Sequence, residues 1–244
     1  IYLGSRLLPG AADLLGYLQN QGTPYFFLTN NSSKSKLAYV DKLADLNLPV
    51  TPDQIFTSGE ATAIYLQREK PGARLFVVGT PSLEAEFARF GFHLVQDHPD
   101  FVVLGFDTTL TYEKIWKLCD FVRHGLPYIA THPDINCPTE SGFMPDIGAI
   151  MALVESSTGR EPDLVIGKPY PPIIQAILEK TGFAPAQMVM VGDRLYTDIA
   201  LGEAGITTIL VLSGEARRQD ISEAPVKPDF VFENLAELYN NLRG

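Results

Sequence analysis

The chain has 244 residues, 45% of them hydrophobic and 20% charged, with 29 acidic against 19 basic side chains and a net charge of −10. This length permits a large core in one or two domains, and the composition is that of a soluble globular protein. The acidic balance argues against nucleic-acid polymers and anionic membranes as partners, since both are bound through basic patches. It leaves room for a small phosphorylated ligand held by a few local cations or a metal. Cys119 and Cys137 form neither a ligand cluster nor a disulfide framework, which suits a reducing cytoplasm. No apolar run is long enough to cross a bilayer and no signal-like segment is present. A homo-oligomer is left open.

In chain order, residues 1–9 read as a turn-rich lead into a helix over 10–21. An apolar-aromatic strand, TPYFFLT, follows over 23–29 and ends in Thr29-Asn30-Asn31-Ser32-Ser33. The next helix runs to Leu46, with Ser32 or Ser33 as its cap and Leu37, Val40 and Leu43 at helical spacing. Residues 49–70 give a short strand and a helix. At Pro71-Gly72 the pattern restarts, with strands over 74–79, 101–105 and 127–131 alternating with helices over 82–90 and 111–124. A long loop to Pro145 leads to a helix ending at Thr158. The strand DLVIG (163–167) precedes Lys168-Pro169 and a helix over 172–180. Residues 188–198, MVMVGDRLYTD, read as a buried parallel strand stopped by Gly192 with Asp193 directly after it, then a helix over 195–203. A strand over 207–212, a variable loop around 214–227, a strand over 229–232 and a terminal helix complete the chain. The fold class is therefore α/β, a doubly wound parallel sheet with a second α/β unit of roughly ninety residues beginning where the pattern restarts.

In open α/β sheets, ligands sit beyond the carboxyl ends of the strands. Three such ends carry chemistry here: Thr29-Asn30, Lys168 after a glycine, and Asp193 with Asp198 five residues on. Two carboxylates at a strand end suit Mg²⁺, a hard cation that takes oxygen ligands. The plainer alternative is that Asp193 merely caps the helix after it. Hydroxyls and amides opening a helix, as in TNNSS, make a natural phosphate site, whereas capping alone needs one such residue. Lys168 could equally be a surface lysine before a proline that starts a helix. Hydroxyl, ammonium and metal-binding carboxylates together are what phosphoryl transfer needs, since that reaction is mostly positioning and charge stabilisation. Hydrolysis of a phosphate monoester calls for accelerations up to on the order of 10²¹-fold, beyond a lone ammonium but within reach of a metal with preorganised donors.

LTNNS, GKP and GDRLYTDI, in this order and on these strand ends, resemble the second, third and fourth motifs of the haloacid-dehalogenase-like phosphatases. The opening IYLGSRLLPGA and the loop THPDINCPTESGFMPDIGAI are similar to those of the NagD and para-nitrophenyl phosphatase branch, so the resemblance covers essentially the whole chain. It implies a core over 1–71 and 161–244, a large α/β cap over 72–160, and a Mg²⁺-dependent phosphatase acting on small phosphate esters through an aspartyl-phosphate. In that reading Thr29 and the N–H of Asn30 hold the transferring phosphoryl oxygens, Asn31 adds a substrate contact, and Lys168 neutralises phosphate charge. Asp193 binds Mg²⁺ directly, Asp198 binds it or orients its waters, and Gly192 permits close approach of the backbone.

The family's first motif, a strand ending in Asp-x-Asp, does not occur in these residues. Asp13 falls on a helix after a turn, and Asp41 and Asp45 on the exposed side of another. Such a strand is expected before Ile1, beside residues 25–29. A phosphotransferase or mutase would use the same three sites. A phospho-metabolite binder without catalysis follows if the nucleophile is missing, whereas a nucleotide binder is disfavoured by the lack of glycine-rich phosphate motifs. Substrate choice is expected on the loop over 131–142, through His132, Asp134 and Asn136, because loops this long and polar usually carry function. The alternative is a structural loop whose Asp134 and Asn136 satisfy their own turns. Small soluble esters such as sugar phosphates, phosphoglycolate or nucleoside monophosphates fit beneath a large cap.

Overall fold

The computed structural model describes residues 1–139 and 141–244. The elements run β1 (Tyr2–Leu3), β2 (Arg6–Leu7), α1 (Ala11–Asn20), β3 (Phe27–Thr29), α2 (Lys36–Asp45), β4 (Ile55–Thr57), α3 (Ser58–Glu69), β5 (Arg74–Val78), α4 (Pro81–Arg89), β6 (His93–Leu94), β7 (Phe101–Leu104) and α5 (Tyr112–Arg123). They continue as β8 (Tyr128–Ala130), β9 (Asn136–Thr139), β10 (Gly142–Pro145), α6 (Ile147–Thr158), β11 (Leu164–Val165), α7 (Pro171–Thr181), β12 (Val189–Gly192), β13 (Thr207–Val211), β14 (Phe230–Phe232) and α8 (Leu235–Arg243). Short polar side chains start several helices by accepting an otherwise orphaned backbone N–H. Thr57 accepts from Glu60, Thr80 from Leu83, Thr111 from Lys114, Asp146 from Ile147 and Asn234 from Glu237.

The chain packs as two compact units, one of Ile1–Phe26, Leu43–Pro49 and Ile177–Gly244, the other of Phe27–Lys42 and Val50–Ala176. Packing joins the segment before Pro71 to the segment after it, because α3 lies against α4: a Cβ at Gly59 would meet Leu83 Cδ1 at 2.7 Å.

In the second unit the sheet is parallel, in the order β11-β8-β7-β5-β6. Its strands are β-branched and aliphatic runs, and Leu75, Val78, Val102, Val103, Leu104 and Ala130 are fully buried. Each large side chain contributes about 1.5–3 kcal/mol on burial. Phe76 and Tyr128 join Leu118 and Val122 of α5 and Ile147 and Val154 of α6 in one cluster. A separate parallel pair, β3 with β4, sets Thr29 opposite Thr57. In the first unit β12, β13 and β14 form a parallel sheet. Ala11 and Leu14 of α1 and Leu235 and Leu238 of α8 pack with Val211 of β13.

Four local expectations are corrected. Residues 1–9 contain an antiparallel hairpin, β1 with β2, turned at Gly4. The stretch from 131 to 145 is not a plain loop, since β9 and β10 pair there with Pro138 opposite Phe143; two prolines and no polar–apolar alternation hide that hairpin from pattern reading. The strand over 188–191 is only partly buried, with Val189 58% exposed. After Asp193 the chain makes turns and a 3₁₀ segment, Ile199–Ala204, in place of an α-helix.

At the edge of the second unit, Lys70 Nζ lies 2.8 Å from Asp100 Oδ1 and the Arg74 N–H donates to Asp100 Oδ2 at 2.8 Å. The Lys70 hydrogen bond first, and the Arg74 N–H second, hold the Asp100 carboxyl well below the usual carboxylate range. A folded-state value that is depressed contributes stability above the unfolded value and loses it as pH falls toward the folded one. Asp100→Asn should therefore lower Tm at pH 7, with the gap to wild type narrowing below about pH 4, where unfolded carboxylates protonate. Melts across that range check it, and a gap independent of pH would contradict the ion-pair origin.

Candidate active site

In the second unit the polar residues after β3 divide into two sets. Thr29 is half-buried, and its hydroxyl accepts the Asn31 N–H at 3.1 Å. The Asn31 carboxamide oxygen accepts the Ser33 N–H at 2.9 Å, and its nitrogen approaches Cys137 Sγ at 3.8 Å. Asn30 and Ser32, by contrast, are buried. Ser32 Oγ accepts the Phe106 N–H at 2.9 Å and bonds Thr131 Oγ1 at 3.0 Å. Ser32 is thereby drawn away from capping. The helix starts later, with Ser35 Oγ accepting the Ala38 N–H at 3.4 Å, which corrects the expected cap.

Asn30 and Lys168 come together although 138 residues separate them. Asn30 Oδ1 accepts the Lys168 N–H at 2.8 Å, and Asn30 Nδ2 donates to the Lys168 carbonyl at 3.1 Å and to Asp134 Oδ1 at 2.9 Å. The Asn30 carbonyl accepts a hydrogen bond from Ser58 Oγ at the start of α3. The Lys168 ammonium donates to the Leu28 carbonyl at 3.3 Å, which seats it at the carboxyl end of β3 beside Thr29. Only 7% of Lys168 is exposed, so the alternative of a surface lysine does not hold.

His132 and Asp134 point inward. His132 is fully buried, with Nδ1 2.9 Å from Thr131 Oγ1 and Nε2 2.9 Å from Asp146 Oδ1. Asp146 Oδ1 also accepts the Ile147 N–H at 2.7 Å, which starts α6. A substrate-reading surface was expected at His132 and Asp134. Buried polar groups must find internal partners, and both have them. Asn136 is exposed on β9. The ligand atoms of His132, Asp134 and Asp146 lie within 4.8 Å of one another, a donor set that could take a cation. Both imidazole nitrogens already have partners, which makes the group a hydrogen-bonded network.

In the first unit Asp193 follows β12. Its Oδ2 accepts the Glu215 N–H at 2.9 Å and its carbonyl accepts the Ala216 N–H at 3.0 Å. Asp193 therefore does not cap the segment after it. That role falls to Asp198, whose Oδ2 accepts the N–H groups of Asp193 and Arg194, each at 3.2 Å. These side-chain bonds compete with helical ones, which accounts for the missing α-helix after Asp193. At Gly192 the close approach is to Asp198, whose carboxylate occupies the space a Cβ would need. Glu215 is held by Arg194 Nε at 2.8 Å and by the Tyr196 hydroxyl at 2.8 Å. The half-buried Asp193 with Asp198 beside it is an all-oxygen donor set that fits a hard divalent cation. Sequence reading missed the Ser32–Thr131–His132–Asp146 chain and the part of Glu215 in holding Asp193. The available signal for the latter was Ser213-Gly214 directly after a strand.

A parallel α/β chain with these strand-end residues defines a recognisable class. The model of the haloacid dehalogenase-like hydrolases matches residues 1–93, and a HAD-hydrolase-like model matches residues 165–238. An acid sugar phosphatase from Staphylococcus epidermidis is 37% identical over 237 residues, covering 96% of this chain and 91% of the relative. Among solved structures, a 4-nitrophenylphosphatase from Thermotoga maritima is 50% identical with a TM-score of 0.94, over 98% of this chain and 92% of that one. NagD from Escherichia coli K-12 is 36% identical with a TM-score of 0.88, over 97% and 93% of the two chains. The chain belongs to the haloacid dehalogenase-like hydrolases, and its similarity runs to the NagD and nitrophenylphosphatase members among them.

The buried chain through Ser32 yields a stability prediction. Ser32→Ala strands the Phe106 N–H and removes a partner of Thr131 in a fully buried place. It should cost about 1–3 kcal/mol by urea denaturation, the usual penalty for an unsatisfied buried group. A change within a few tenths of a kcal/mol would show that the network is dispensable.

Proposed function

We propose that this protein is a phosphatase of small soluble phosphate monoesters, with sugar phosphates as the first class to test, ahead of phosphoglycolate and nucleoside monophosphates. The observation that carries the reading is Lys168, a mostly buried ammonium held at the end of β3 next to Thr29. A cation kept there with its backbone clamped is suited to a multiply charged phosphoryl group. In this reading the Thr29 hydroxyl and the Asn30 N–H hold phosphoryl oxygens, Asn31 adds a polar contact, and Lys168 neutralises charge. The names of the relatives, acid sugar phosphatase and 4-nitrophenylphosphatase, support the substrate class.

Haloacid dehalogenase-like phosphatases generally work with a divalent cation. For this chain the proposed ion is Mg²⁺, held by Asp193 and Asp198, whose oxygens suit it better than they would a soft metal. Bound there, Mg²⁺ would supply charge stabilisation to a transferring phosphoryl group. The covalent route through an aspartyl-phosphate is carried over from the family, as is the assignment of residues 72–160 to a cap. A cytoplasmic setting accords with the free thiols of Cys119 and Cys137. No helix among the described residues is long and apolar enough to cross a membrane.

The intact protein should hydrolyse para-nitrophenyl phosphate in Mg²⁺ and lose that activity in EDTA, with recovery on Mg²⁺ addition. Asp193→Asn should lower kcat/KM by orders of magnitude while circular dichroism stays that of wild type. Near-wild-type rates in this variant would remove Asp193 from the metal site, and indifference to EDTA would remove the metal.

A further inference from the structure

We infer that Asp134 is a positioning residue: through the Asn30 carboxamide it fixes the Lys168 backbone, and so the place of the Lys168 ammonium, and it does not read substrate. The inference rests on the phosphatase reading above for the role of Lys168, and on geometry alone for the clamp.

A carboxamide has one acceptor oxygen and two N–H donors. In Asn30 all of these are assigned, because the Lys168 N–H requires the oxygen while the Lys168 carbonyl and Asp134 Oδ1 require the nitrogen. The orientation of the amide follows from its partners and cannot flip without breaking all three bonds. Asn30 and Asp134 are each 5% exposed, so water does not readily replace a lost partner. The hydrogen bond to Asp134 is charge-assisted and stronger than a neutral one. It is also the one of the three that does not involve Lys168, so it sets the plane in which the other two are made.

Asp134 is anchored in turn. Its carbonyl accepts the Gly148 N–H at 2.8 Å, near the start of α6. At Gly167, just before the lysine, a Cβ would sit 2.6 Å from His132 Cβ and 2.8 Å from Asn30 Oδ1. Glycine is needed there for the strand end to come this close. Lys168 is thus located by its backbone, and Nζ reaches the Leu28 carbonyl from that fixed point.

A lysine displaced by a fraction of an ångström serves every phosphate ester worse by the same factor, since the phosphoryl group is common to all. A residue that touches the variable part of the substrate changes the esters unequally. The test compares wild type, Asp134→Ala and Asp134→Asn, the last of which keeps an oxygen acceptor for the Asn30 N–H. Hydrogen exchange by NMR reads the Asn30 side-chain amide and the Lys168 backbone N–H. Kinetics reads kcat/KM over para-nitrophenyl phosphate and a panel of sugar and nucleoside phosphates.

The expected result for Asp134→Ala is lost protection at both amides. It should be accompanied by a loss of about 10–100-fold in kcat/KM, the scale of a small misplacement, equal across the panel. Asp134→Asn should restore the protection and part of the rate. Unchanged Lys168 protection in Asp134→Ala, or a reordered panel, overturns the inference. If wild type hydrolyses none of the esters while the exchange pattern is as expected, the clamp stands and the phosphatase reading falls.

Discussion

A buried carboxamide that must satisfy all its hydrogen bonds is the constraint on which much of the second unit depends. Asn30 is 5% exposed and lies one residue beyond β3. It cannot leave a donor idle without a cost of about 1–3 kcal/mol. Meeting that demand ties together Lys168, Asp134 and, through the Asn30 carbonyl, Ser58 at the head of α3. Three segments remote in sequence are thereby held at the end of a three-residue strand that has only β4 as its partner among the described strands.

The same economy operates beside it. Ser32, Thr131, His132 and Asp146 form a continuous buried chain that ends on the first N–H of α6. Such networks stabilise only when every member is satisfied. Here each hydroxyl and ring nitrogen in the chain has a partner. His132 and Asp134, which looked free to contact a ligand as polar loop residues, are used by the interior, whereas Asn136 stays exposed.

In the first unit a carboxylate does comparable work. Asp198 takes two backbone N–H groups after β12, and the loop at Glu215 takes one oxygen of Asp193. One aspartate shapes the loop, and the other is presented at its edge, half-buried. Identical residue types five positions apart have different roles, set by which of them the backbone claims first.

From the sequence alone, the alternation of apolar runs with capped amphipathic stretches determined a parallel α/β protein, and TNNS, GKP and GDRLYTD marked three strand ends as candidate positions for its chemistry. Those features are legible because strand burial, helix capping and strand-end placement are local consequences of residue type. The hairpins at β1–β2 and β9–β10, the exposure of Val189, the packing of α3 with α4, and the inward turn of His132 and Asp134 were decided only in three dimensions. Some of these depend on a partner elsewhere in the chain, Leu83 against Gly59 or a carboxamide more than a hundred residues from Asp134, whereas the hairpins are local pairings that residue pattern does not announce. A sequence shows which groups need hydrogen bonds; only the tertiary structure shows which of the many eligible partners meets that need.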